Sequence, residues 1–175
     1  NIWGAHKKLD EKLKIKKLPY DTNNYVTFGS FNNFLKISNN VIRVWSEILD
    51  KTNSRLILKC SMHDSLEIRE RFLDKFPKNI TSKNKIVLLE RQKEKQKHIN
   101  LYNEIDIGLD TFPYTGVTTT FEAIWMGVPV LTLKGDNFTS RCGESININL
   151  NLREFIANDT DDYIKKAINF TKKIE

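Results

Sequence analysis

Two stretches of this chain carry residue types suited to holding an anion. The first is Asp110–Pro129, DTFPYTGVTTTFEAIWMGVP. A strand ends at Asp110, a Pro/Gly loop turns the chain, and three threonines open a helix. The start of a helix offers free N–H groups and the positive end of its dipole, and hydroxyls beside it add donors. Phosphate or diphosphate is the expected guest. Thr118 and Thr119 are the best-placed donors, and Gly116 lets the backbone approach closely. Glu122 follows one turn later, expected on the exposed side of the helix start, where a carboxylate suits a ribose diol. The same residues also read as ordinary capping, with Glu122 complementing the dipole; local chemistry leaves both readings open. The second stretch is Phe28–Ser38, FGSFNNFLKIS, which sets Gly29, Asn32, Asn33 and Lys36 between a strand end and a helix start. An ammonium there could neutralise charge on a departing phosphate, though a plain surface lysine is the alternative. His6 falls in the N-terminal arm, His63 in a polar loop, and His98 on the helix before the fourth strand, where a structural role is the ordinary reading. No GxGxxG, GxxxxGK[ST] or GxSxG string occurs, and no His/Cys/Asp grouping has metal spacing.

Those residues need a frame, and the hydrophobic pattern supplies one. Strands are expected at Val26–Phe31, Arg55–Cys60, Lys85–Leu89, Ile105–Asp110 and Val128–Leu133. Helices alternate with them. Ser38 caps one whose Val41, Ile42, Trp45, Ile48 and Leu49 share a face, and Ser65 opens another with Leu66, Phe72, Leu73 and Phe76 inward. A charged helix is expected over Lys93–Asn103. The next, Thr118–Met126, buries Phe121, Ile124 and Trp125 and stops at Gly127; the last lies near Asp161–Lys173. Strands separated by helices predict an α/β fold, a doubly wound parallel sheet covered on both faces. Ligands in such folds bind beyond the carboxyl ends of the strands, where the strand order reverses.

With 175 residues, 39% of them hydrophobic, the chain is long enough for one ordinary domain without metal or disulfide support. The charged fraction of 29% and ten Phe exclude a disordered tail or a fibre. No apolar run reaches the roughly 20 residues of a membrane span. The first residues, NIWGAHKK, lack Met and a signal peptide and read as the start of an excised piece. Cys60 and Cys142 form no framework, which suits the cytoplasm. The net charge is +6. Residues 1–18 hold six lysines against Asp10 and Glu11, a net +4, which leaves +2 on the rest. The basic character therefore belongs to an arm, expected to be mobile or a docked helix. Neither nucleic acid nor membrane is an expected partner. The expected division is an arm or connector over 1–24 and a ligand-binding lobe over 25–175.

The strings FGSFNNFLKIS, KHINLYNEIDIGLDTFPYTGVTTTFEAIWMGVPVLTL and SRCGES resemble the C-terminal catalytic lobe of the SPINDLY / O-linked N-acetylglucosamine transferase family in its bacterial style. The resemblance runs from about Tyr25 to the end. It implies the Rossmann-like C-terminal lobe of a GT-B enzyme, inverting and metal-independent, usually preceded by tetratricopeptide repeats. That lobe binds the nucleotide sugar, typically UDP-N-acetylglucosamine, as substrate and without a cofactor. Carried over by position, Lys36 is the lysine on the diphosphate, with Asn33 beside it. His98 packs on the uridine, Lys95 falls near the base, Thr118 and Thr119 hold the diphosphate, and Glu122 takes the acidic position on the ribose. Two departures stand out. Bacterial relatives often read Pro-Tyr-Asn-Gly where this chain has Pro113-Tyr114-Thr115-Gly116. Some animal relatives have His where this chain has Val117, which touches sugar preference more than nucleotide preference. A protein or peptide acceptor would meet residues of an N-terminal lobe outside this chain. A module that keeps the fold and binds proteins without catalysis is the alternative reading.

Overall fold

Six strands, each with a short apolar core, line up in parallel in the computed structural model, which describes residues 13–59, 65–90 and 92–174. They are β1 (Val26–Ser30), β2 (Ser54–Lys59), β3 (Ile86–Leu89), β4 (Ile107–Leu109), β5 (Val130–Leu133) and β6 (Ile156–Ala157). The sheet order is β3-β2-β1-β4-β5-β6, and every pairing is parallel. Chain order runs outward from β1 to one edge, then returns to β4 and runs to the other. The reversal therefore lies between β1 and β4, where such sheets open a crevice at their carboxyl ends. Both strands at that point are buried along their whole length.

Eight helices cover the sheet among the described residues: α1 (Tyr20–Asn23), α2 (Asn39–Lys51), α3 (Leu66–Leu73), α4 (Lys78–Thr81), α5 (Lys95–Asn100), α6 (Thr118–Trp125), α7 (Phe138–Asn149) and α8 (Thr160–Ile174). Ser38 caps α2 by accepting from Val41 N, and the face carrying Val41, Ile42, Trp45, Ile48 and Leu49 is buried. Together with Phe72, Phe76, Tyr163 and Phe170 it fills the core on one side of the sheet. A second core, of Phe31, Ile99, Tyr102, Ile105, Ala123 and Met126, lies under α5 and α6 on the other. The donor end of α6 is thus mounted on a separate packed layer. Gly127 ends α6 with φ of 78°, a left-handed geometry that costs glycine little.

Several expectations are corrected. β6 is a sixth strand, two residues long and too short to show a period. The helix opened by Ser65 ends at Leu73, before Phe76, and Pro77 precedes an extra turn, α4. Leu66 is 72% exposed because it is the first residue of α3, pointing off its end. Phe121 and Trp125 are 38% and 47% exposed rather than core, since α6 buries its Thr120–Ala123 face instead. The charged helix of 93–103 divides into α5 and a 3-10 turn at Leu101–Glu104. Residues 13–18 form no helix. They run irregularly against the lobe, with Lys16 N donating to Asn103 Oδ1 (2.9 Å) and Asn103 Nδ2 donating to Lys14 O (3.1 Å). The rest of the arm, with Lys7, Lys8, Lys12 and His6, lies outside the described residues, as do Cys60 and His63.

Candidate functional site

At the β1/β4 crevice one buried carboxylate organises two loops. Asp110 follows β4 and is 1% exposed. Its Oδ1 accepts from Thr111 N (2.9 Å), Gly116 N (2.7 Å) and Asn32 Nδ2 (3.3 Å), and its Oδ2 accepts from Thr132 Oγ1 (2.9 Å). Burial raises the Asp110 pKa to about 6; the hydrogen bonds from Gly116 N, Thr132 Oγ1 and Thr111 N and the Lys36 charge work against that rise. The carboxylate curls the loop 111–117 back on itself and fastens it to the β1 loop through Asn32.

Asn32 is the second bracket. Its Oδ1 accepts from Thr119 Oγ1 (3.1 Å) and from Lys36 Nζ (3.5 Å), which joins both sequence segments at one amide. Lys36 ends the 3-10 turn Phe34–Lys36 and donates to Thr115 O (3.0 Å). Its ammonium also lies 3.9 Å from the centre of the Tyr114 ring. Burial lowers the Lys36 pKa, and the Asp110 carboxylate and Cys142 oppose that shift. Gly116 is required by closeness: a Cβ there would stand 2.5 Å from Thr119 Oγ1 and 2.8 Å from Thr120 Oγ1. The helix that follows starts without a side-chain cap, since the N-cap is Val117, and Thr118 is exposed at its first position. Free N–H groups, two threonine hydroxyls and one ammonium therefore face a common space. These are the parts of a candidate anion site.

A second cluster adjoins it along α6. Glu122 Oε2 lies 3.2 Å from His98 Nε2 and accepts from Tyr102 OH at 3.2 Å. The Tyr102 hydroxyl also reaches Thr119 O (3.1 Å), tying this cluster to the helix start. The Glu122 side chain is only 11% exposed and that of His98 17%. Glu122 was expected on the exposed side of its helix; α5 and Tyr102 cover it. Desolvation would raise the Glu122 pKa, but the His98 and Tyr102 hydrogen bonds and the Lys59 charge outweigh it, and the net direction is down. Lys59, at the end of β2, approaches His98 Nδ1 to 3.3 Å and Nε2 to 3.4 Å.

Lys36, Gly116 and Thr119 are thus joined through Asn32, and His98 and Glu122 are joined directly. Thr118 stands at the exposed lip. Asn33 is exposed and caps the 3-10 turn by accepting from Leu35 N (2.9 Å). Lys95 opens α5, exposed, one turn before His98. Sequence reasoning missed the roles of Asp110, Tyr102 and Lys59. The usable signal for Asp110 was its position: a carboxylate after a wholly apolar strand must be buried, and a buried carboxylate needs donors. Among the described residues no group of three or more His, Cys, Asp and Glu side chains is arranged to hold a metal ion. No helix of the described residues is long and apolar enough to cross a membrane.

The chain is 37% identical over 161 residues to a Petunia hybrida protein named "Probable UDP-N-acetylglucosamine–peptide N-acetylglucosaminyltransferase SPINDLY", which covers 91% of this chain and 17% of that protein. Its Arabidopsis thaliana namesake is 36% identical over 157 residues, covering 89% and 17%. The chain therefore spans about a sixth of the length of these relatives. Among solved structures it superposes on a mutant O-GlcNAc transferase of Thermobaculum terrenum with a TM-score of 0.78 and 29% identity, covering 89% of this chain and 30% of that one. Residues 12–175 match the sequence profile of glycosyl transferase family 41, and the chain belongs to that family.

Proposed function

We propose that this chain is the nucleotide-sugar-binding half of an inverting, metal-independent protein O-glycosyltransferase, with UDP-N-acetylglucosamine or a close analogue as donor. One observation carries the reading: the uncapped start of α6 and the Lys36 ammonium converge at the point where the strand order reverses. A diphosphate seated there would receive hydrogen bonds from the first amides of α6 and from the Thr118 and Thr119 hydroxyls. As an acceptor hydroxyl displaces the sugar at its anomeric carbon, negative charge grows on the departing diphosphate. Lys36 and the helix start stabilise that charge in the role a divalent cation plays in other enzymes. Holding Lys36 between Thr115 O and the Tyr114 ring fixes the ammonium before the reaction, so little reorganisation is needed. His98 offers a ring to the base, with Lys95 at the rim. The SPINDLY relatives carry a name that points to the same donor and to a peptide acceptor, and the T. terrenum relative is named an O-GlcNAc transferase.

The acceptor protein and the group that takes its proton are assigned to an N-terminal lobe beyond this chain, with tetratricopeptide repeats before it and the cytoplasm as the setting. Calorimetric titration of UDP, ADP and GDP against the 175-residue chain, with and without excess chelator, tests the reading. UDP should bind most tightly, unchanged by chelator. Binding that disappears with chelator removes the metal-free mechanism, and no binding of any nucleotide at millimolar concentration removes the donor site. The chain alone should transfer no sugar to a peptide, and transfer by it would show that no second lobe is needed.

A further inference from the structure

Glu122 is committed inside the protein more fully than a ribose ligand needs to be. Its Oε2 already holds His98 Nε2 and the Tyr102 hydroxyl, each at 3.2 Å. An ionised carboxylate can only accept, so the His98 nitrogen facing it must carry the proton. That contact alone fits both the neutral Nε2–H ring and the imidazolium, which differ only at Nδ1. Lys59 adds a second constraint. Its ammonium is nearly equidistant from the two ring nitrogens, at 3.3 and 3.4 Å. Cε1 lies between those nitrogens, so an ammonium in the ring plane at that separation would collide with it. Lys59 Nζ must lie over a face of the imidazole. A cation over that face is attracted by a neutral ring and repelled by an imidazolium, which selects the neutral Nε2–H form of the two that the Glu122 contact allows.

We propose that Glu122 acts on the nucleotide through His98, as a positioning residue that holds the ring as the Nε2–H tautomer, while Lys59 covers one face and a nucleobase would take the opposite one. This rests on the donor-site reading, and it moves the main effect of Glu122 from the sugar hydroxyls to the orientation of a ring. Phe31, 4.7 Å from Tyr102 between ring centres and 6.3 Å from His98, backs the cluster from the core. Tyr102 extends the same link to the α6 start through Thr119 O (3.1 Å), so base platform and anion site share one support.

The test combines a tautomer measurement with two thermodynamic cycles on the whole chain. Long-range ¹H–¹⁵N correlation spectra of the wild-type protein near neutral pH should show His98 as the neutral Nε2–H form. The Nδ1–H form or an imidazolium would overturn the proposal, and this arm needs no nucleotide. Glu122→Ala should weaken UDP about tenfold, the scale of one charge-assisted hydrogen bond. Glu122→Gln, whose amide oxygen can still accept from Nε2–H, should recover most of that loss. The tenfold effect should persist with 2′,3′-dideoxyuridine diphosphate and should vanish in a His98→Ala background. If it vanishes with the dideoxy compound and persists without His98, Glu122 binds ribose directly and the proposal fails. Absence of UDP binding to the wild type would instead defeat the donor-site reading, while the spectra still decide the tautomer.

Discussion

Asp110 is the residue whose replacement distinguishes scaffold from surface charge most sharply. Its two oxygens accept four hydrogen bonds from Thr111 N, Gly116 N, Asn32 Nδ2 and Thr132 Oγ1, at 1% exposure. Asp110→Ala leaves buried donors unpaired, each costing about 1–3 kcal/mol. Relaxation and water entry recover part of this, so a loss of about 3–5 kcal/mol is expected. Asp110→Asn differs in kind. Its amide oxygen can take the three bonds now made to Oδ1, and its NH₂ can donate to Thr132 Oγ1, whose hydroxyl turns to accept. The uncharged side chain also avoids the desolvation that pushes the Asp110 carboxyl from 3.8 to about 6. At pH 7.5 the Asn variant should stay within about 1 kcal/mol of wild type. The pH dependence has a definite sign. A carboxyl raised in the folded state contributes stability fully present below pH 3.8 and lost as pH rises through about 6. That interval corresponds to about 3 kcal/mol at 1.36 kcal/mol per pH unit. Acidification from pH 7.5 to 4 should therefore favour wild type over Asp110→Asn by about 2 kcal/mol, most of that interval, as other groups cancel in the comparison. Urea unfolding followed by tryptophan fluorescence, with Trp45 fully buried, gives both curves. Equal losses for Ala and Asn, or parallel pH profiles for Asn and wild type, would refute the reasoning.

Lys36→Ala should weaken UDP roughly tenfold to a hundredfold, from a charge-assisted contact worth about 1.5–3 kcal/mol, while changing uridine binding little; calorimetry with both ligands checks this. His98→Ala should weaken uridine and UDP alike, and matching profiles for the two variants would contradict their separate roles. Gly116→Ala puts a Cβ 2.5 Å from Thr119 Oγ1, so it should reduce UDP affinity more than it lowers the melting temperature. Asn103→Ala removes both bonds to the 14–16 backbone and should speed tryptic cleavage at Lys14, Lys16 and Lys17 without altering UDP affinity beyond about 0.5 kcal/mol.

Five of the six strands, the Ser38 and Ser65 caps and the Gly127 stop were legible in the sequence, because each depends on a local pattern or a backbone preference. β6 was not, since two residues carry no period. The exposure of Phe121 and Trp125 was hidden for another reason. Their apolar stripe fits a helix face, but which face meets the sheet is decided by Thr120 and Ala123, small enough to approach it. The candidate anion site was legible as location and residue type. Its internal wiring was not: Asn32 to Thr119 spans 87 positions and His98 to Glu122 spans 24, and no local pattern reports such pairs. The same limit made Glu122 look like a solvent-facing ligand when α5 and Tyr102 enclose it.

The central claim is that a nucleoside diphosphate seats its phosphates on the α6 start beside Lys36. A ¹H–¹⁵N titration of the 175-residue chain with UDP, in excess chelator, tests it most directly. The account predicts the largest saturable shifts at the Thr118, Thr119 and Thr120 amides and at the Lys36 side chain, with His98 following when the nucleoside is present and silent with pyrophosphate alone. Shifts centred on the α2/α8 face, or none at those amides at saturating UDP, would contradict it.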